Sequence, residues 1–148
     1  MEYTLISGRN FNETRRKIRE SKSSGKDVAF TSDDDDLARK VLEKEPISVL
    51  LINQEGRKDK VKQRNSGFNQ VLAKTAKKKN VSVGINLDEI IKASQEKKAE
   101  ILARVRQNIA LCNKNKLKMT FFPELKDKYD LKSLGLVLGM PTWMVKDL

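Results

Sequence analysis

VAFTSDDDDLARKVLEKEPISVLLI, residues 28 to 52, sets a strand, a helix and a second strand one after another. The flanking runs, Val28 to Thr31 and Ile47 to Ile52, are short, apolar and rich in β-branched residues, as strands buried on both faces are. Between them, Asp33 to Glu43 has helical composition. Ser32 stands as its N-cap, and Asp33 to Asp36 lie in its first turn, where negative charge complements the helix dipole. A helix between two parallel strands is the unit of an α/β fold.

The same alternation runs outward in both directions. Strands are expected at Tyr3 to Ser7, Val81 to Ile85 and Leu117 to Phe121, and helices at Phe11 to Glu20 and at Phe68 to Lys78 after Gly67. Leu87, Ile90 and Ile91 make a short helical stripe. From Gln95 a longer helix places Ile101, Leu102, Val105, Ile109 and Cys112 on one face at near 3.6-residue spacing. Asp130 is the expected cap of a last apolar helix through Leu138, closed by Gly139 and Pro141. About five parallel βα units fit either part of an eight-unit barrel or an open doubly wound sheet. No linker or low-complexity tract interrupts residues 1 to 148, so one domain is expected.

The composition excludes several function classes. The 148 residues contain no histidine and one cysteine. The commonest general acid-base group and the commonest zinc ligand are therefore missing, and no disulfide can form within the chain. The N-terminus lacks a basic-then-apolar leader, and no apolar run approaches membrane length, so a cytoplasmic protein with no membrane partner is expected.

Charge points to an anionic partner. The net charge is +11, yet residues 1 to 50 balance ten positive against ten negative side chains, so the whole surplus falls in residues 51 to 148. The most informative stretch, RKDKVKQRNSGFNQVLAKTAKKK at 57 to 79, sets nine cations against Asp59 alone. Arg57, Lys58, Lys60, Lys62 and Arg64 occupy the loop after the third strand. Packed so closely they repel one another unless an anion neutralises them, which points to RNA phosphates. The guanidinium fork favours Arg57 and Arg64 as anchors.

Lys74 follows on the next helix, and Lys77, Lys78 and Lys79 end it. For those three, solvation of a helix C-terminus competes with RNA contact. Gly67 suits either close approach of a phosphate or an ordinary turn. With 5% aromatic residues, a stacking platform for single strands is not expected. Phe121, Phe122 and Cys112 read most simply as core. Trp143 reads as a partner anchor or as packing for the C-terminal helix.

Several segments together resemble the ribonuclease P protein component 3 family, the archaeal counterpart of a subunit of the eukaryotic enzyme. They are RKD at 57 to 59, VLAK at 71 to 74, KKNVSVGI at 78 to 85, EILARVRQ at 100 to 107 and DLKSLGLVLGM at 130 to 140, with VAFTSDDDDLARKVLEKE at 28 to 45 a looser match. The resemblance implies a TIM-barrel-like fold and a part in removing the 5′ leader of precursor tRNA. In that assembly the RNA subunit cleaves with Mg2+ while the proteins support its fold. Expected partners are therefore ribonuclease P RNA, protein component 2 and the other protein subunits, with precursor tRNA met indirectly. No catalytic residue, cofactor or metal is expected on this chain.

Two departures stand out. The family usually carries a further βα unit at the N-terminus, so an incomplete TIM-barrel-like fold is expected here, its open edge covered by helix, protein or RNA. At Thr120 to Glu124, TFFPE replaces the family's small residues. Two other functions compete with the RNA-subunit reading. One is a magnesium phosphatase or nuclease using Asp59, Glu124 and Asp127. The other is a basic adaptor for another RNA such as ribosomal RNA.

Overall fold

The computed structural model describes residues 3–123 and 127–148. Its strands β1 (Tyr3–Ser7), β2 (Asp27–Thr31), β3 (Val49–Ile52), β4 (Ser82–Asn86) and β5 (Met119–Phe122) form one sheet. All four pairings are parallel and the spatial order is β1-β2-β3-β4-β5. That order decides between the two topologies. A doubly wound sheet reverses direction at a switch point, whereas here each strand adds beside the one before it. With right-handed crossovers, sequential addition puts the connecting helices on one face, as in consecutive units of a barrel. The fold is an α/β, incomplete TIM-barrel-like sheet.

The helices are α1 (Phe11–Ser23), α2 (Asp35–Lys44), α3 (Gln70–Lys79), α4 (Leu87–Lys92), α5 (Gln95–Lys114), α6 (Lys128–Leu138) and the single turn α7 (Thr142–Val145). Register explains the core. Ile6, Phe30, Leu50, Val83 and Met119 are paired neighbours, so they share the face on which the helices pack, and all are buried. The opposite face carries Ala29, Val49, Leu51 and Gly84, which are buried too. A Cβ on Gly84 would come within 3.1 Å of Leu51 Cδ1 and 3.2 Å of its Cα, so this crowded face admits only glycine there without rearrangement. The rings of Tyr3 on β1 and Phe122 on β5 lie 5.7 Å apart. Side chains from the two edge strands therefore meet, and the sheet curls over its non-helical face.

Two caps differ from expectation. Asp34, not Ser32, caps α2, its carboxylate accepting from the backbone N–H of Asp36 (3.0 Å) and Leu37 (3.3 Å). Ser32 instead donates to the Gly8 carbonyl (3.0 Å) and accepts from Asp34 N–H, tying the first two strand ends together. Asp127, not Asp130, caps α6, and Asp130 sits in its first turn. In both places several acids compete, and the sequence does not say which backbone turns into the helix first. Glu124 lies outside the described residues, and with it the end of the Thr120 to Glu124 segment. Among the described residues no helix is long and apolar enough to cross a membrane.

Candidate nucleic-acid interface

The ends of β2, β3 and β4 are joined by a short amide ladder. Asn86 donates to the side chain of Asn53 (2.9 Å), which donates to Thr31 Oγ1 (3.0 Å). From Asn53 the chain enters the basic loop, and the loop's neck is closed by buried polar groups. Gln54 and Asn108 on α5 both donate side-chain amides to the Ser66 carbonyl, at 2.8 Å and 3.1 Å. The Glu89 carboxylate at the start of α4 accepts from the backbone N–H of Gln54 (2.9 Å) and Glu55 (3.1 Å). Burial pushes its pKa above the ordinary 4.5, while these two N–H groups pull the other way.

Two arginines hold the body of the loop. Arg57 is largely buried, at 10% side-chain exposure. It donates through both terminal nitrogens to Asp35 of α2 (2.8 and 3.0 Å) and through Nε to the Asn53 carbonyl (2.6 Å). Its fork thus already grips a carboxylate. Arg104 of α5, at 5% side-chain exposure, donates to the Arg57 carbonyl (2.9 Å), the Gln54 carbonyl (3.4 Å) and Asp59 (3.2 Å). Asp59 also accepts from Asn65 N–H (2.8 Å), and that bond, with help from Arg104, holds its pKa below the usual 3.8 against the opposing effect of burial. Gly67 fits beneath: its φ is +73°, and a Cβ there would collide with the Arg57 guanidinium.

The loop that results presents its cations outward. Lys60 and Gln63 close a tight turn through reciprocal backbone bonds of 2.9 and 3.3 Å, with Val61 and Lys62 at its tip. Lys58, Lys60, Lys62 and Arg64 are all exposed. Arg64 borders two grooves. One, of 380 Å³ between α2 and α3, also has Arg39 and Lys60 on its walls. The other, of 670 Å³ along α5, also has Arg106 on its wall. Arg39, Arg106 and the pinning residue Arg104 carry no local signature in the sequence, since only the fold brings them to the loop.

The remaining cations are separated from this group. In a βα unit the helix runs back against the strands, so Lys77, Lys78 and Lys79 at the end of α3 lie about 15 Å of helix away from its start beside the loop. Lys77 donates to the Lys116 carbonyl (3.0 Å). Lys74 is exposed between the two ends, and Lys78 and Lys79 are exposed beside the left-handed cap residue Asn80.

Other candidates find structural places. Asp127 is occupied as a cap, and among the described residues no group of three or more His, Cys, Asp or Glu is arranged to hold a metal ion. A 760 Å³ polar cleft lies at the ends of β1 and β2, lined by Ser7, Arg9, Thr31 and Asp33 among others, away from the basic loop's tip. Phe121 and Cys112 are core. Trp143 packs against the core and donates to Asn113 (3.1 Å).

Fold and loop together define a parallel half-barrel that displays a braced basic loop at the C-terminal ends of its strands. No protein-family model matches the chain. Its fold is similar to that of a chain in the cryo-EM structure of archaeal ribonuclease P with mature tRNA, with a TM-score of 0.79 at 19% sequence identity. The match covers 96% of this chain and 62% of that one.

Proposed function

We propose that this chain is a protein subunit of ribonuclease P, of the component 3 type, which binds the RNA subunit and supports RNA-catalysed removal of the 5′ leader from precursor tRNA. One observation carries the reading: a loop held in shape by internal pairs shows Lys58, Lys60, Lys62 and Arg64 to solvent. Asp35 and Asp59, two acids beside it, are already paired with Arg57 and Arg104. The similarity to a chain of a ribonuclease P structure supports it independently.

In this reading Arg57 shapes the loop, and the exposed cations neutralise phosphates. Lys74, Lys77, Lys78 and Lys79 form a second, separate contact. The catalytic Mg2+ stays with the RNA. Protein component 2 and the other subunits are the protein partners, and precursor tRNA is met through the assembled particle. Neutralising phosphate repulsion lowers the amount of Mg2+ the RNA needs to fold.

The test is reconstitution from the cognate RNA and proteins, with and without this chain, followed by precursor-tRNA cleavage across a magnesium series. Omission should raise the magnesium requirement. Identical cleavage curves would reject the proposal in favour of a different RNA.

A further inference from the structure

The chemistry of the loop's tip narrows the kind of RNA it suits. Lys60 and Gln63 are joined by two backbone hydrogen bonds, so the two residues between them sit at the end of a tight, blunt turn. One of these is Val61, a residue 102% exposed, with Lys60 and Lys62 on either side. At the centre of a cationic tip, this side chain leaves apolar surface open to a partner that the flanking cations attract.

Single-stranded RNA is a poor match for such a tip. Proteins that hold single strands stack bases on aromatic rings. The one ring in residues 53 to 69 is Phe68, which is 6% exposed and part of the core. The two grooves that Arg64 borders show no other aromatic residue.

A double helix of A-form RNA offers what the tip lacks a use for elsewhere. Its minor groove is wide and shallow, with ribose edges on the floor and phosphates along both rims. A blunt turn can rest Val61 on that floor while flanking lysines reach the rims. Duplex DNA narrows the same groove to about 6 Å, which excludes a two-stranded turn. The exposed amide of Gln63, beside the tip, can both donate to and accept from a 2′-hydroxyl that DNA does not have.

We infer that the Lys60 to Gln63 turn docks in the minor groove of double-stranded RNA, with Val61 on the groove floor and Lys60, Lys62 and Arg64 on the bordering phosphates. This inference rests on the RNA-binding reading above and adds the form of RNA recognised.

The test is fluorescence anisotropy of the full chain with three probes of one sequence: a blunt RNA duplex, its single strand and the matching DNA duplex. The expected result is about tenfold tighter binding to duplex RNA than to either other probe. Val61→Asn, which leaves the charge and the fold of an exposed tip unchanged, should shrink that preference about threefold by removing apolar contact. Equal or tighter binding to the single strand or to DNA would overturn the inference, as would an unchanged preference in Val61→Asn. If no probe containing RNA binds, the proposed function itself fails.

Discussion

The guanidinium of Arg57 meets the carboxylate of Asp35 in two parallel hydrogen bonds of 2.8 and 3.0 Å, joining the basic loop to α2 across 22 residues of sequence. Lysine cannot reproduce that fork, and it also lacks the Nε that reaches the Asn53 carbonyl. Arg57→Lys should cost about 1 kcal/mol of stability. It should also expose residues 58 to 64 to faster limited proteolysis in the native protein, which mass spectrometry of the fragments would locate. Cleavage at the wild-type rate would show that the pair does not brace the loop.

Arg104 is the second brace and the more deeply buried. Arg104→Ala leaves the Gln54 and Arg57 carbonyls without their side-chain donor, and should destabilise the protein by about 2 kcal/mol. A urea titration would show this as a lowered midpoint. Arg104→Met, which keeps much of the bulk, should recover part of the packing but not the loop's resistance to proteolysis.

Acid should act on Glu89 and Asp59 with opposite signs. The folded pKa of Glu89 is raised, so its stabilising share is fully present below about 4.5 and is lost as pH rises through the folded value. That of Asp59 is lowered, so its share is present above 3.8 and is lost as pH falls through the folded value. Urea unfolding of wild type and Glu89→Gln between pH 7 and pH 4.5 isolates the first effect. The stability difference should move in favour of wild type as pH falls, and a constant difference would contradict it.

Cys112 is fully buried on α5, and burial pushes its thiol up to about 12. At pH 8 it should resist alkylation in the native state and react once the core opens. Iodoacetamide labelling followed by intact-mass measurement would check this. Rapid labelling without denaturant would place the thiol at the surface.

Much of this arrangement is legible in the sequence where the cause is local. The alternation of apolar runs with helical segments marks every strand, and Tyr3–Ser7 has the bounds read from its residues. The basic loop declares itself by charge density. What the sequence withholds is set by residues brought together from afar. Strand order follows from crossovers and not from any one segment. Asp35 reads as one of four acids favouring a helix dipole, and its pairing with Arg57 exists only once α2 and the loop are side by side. Arg104 reads as one more cation on a helix, yet it lies 47 residues from the Arg57 carbonyl it holds. Arg57 has the composition of a phosphate anchor, and folding gives its fork to a carboxylate.

The most direct test of the central claim is the salt dependence of RNA binding by the wild type and by a variant with Lys58, Lys60, Lys62 and Arg64 all replaced by alanine. Each neutralised phosphate steepens the fall of log affinity with log salt by roughly 0.7 to 0.9. If these exposed cations contact the RNA backbone, the variant should bind more weakly at low salt and lose about three units of that slope. An unchanged slope would place the contact elsewhere on the chain and contradict the account.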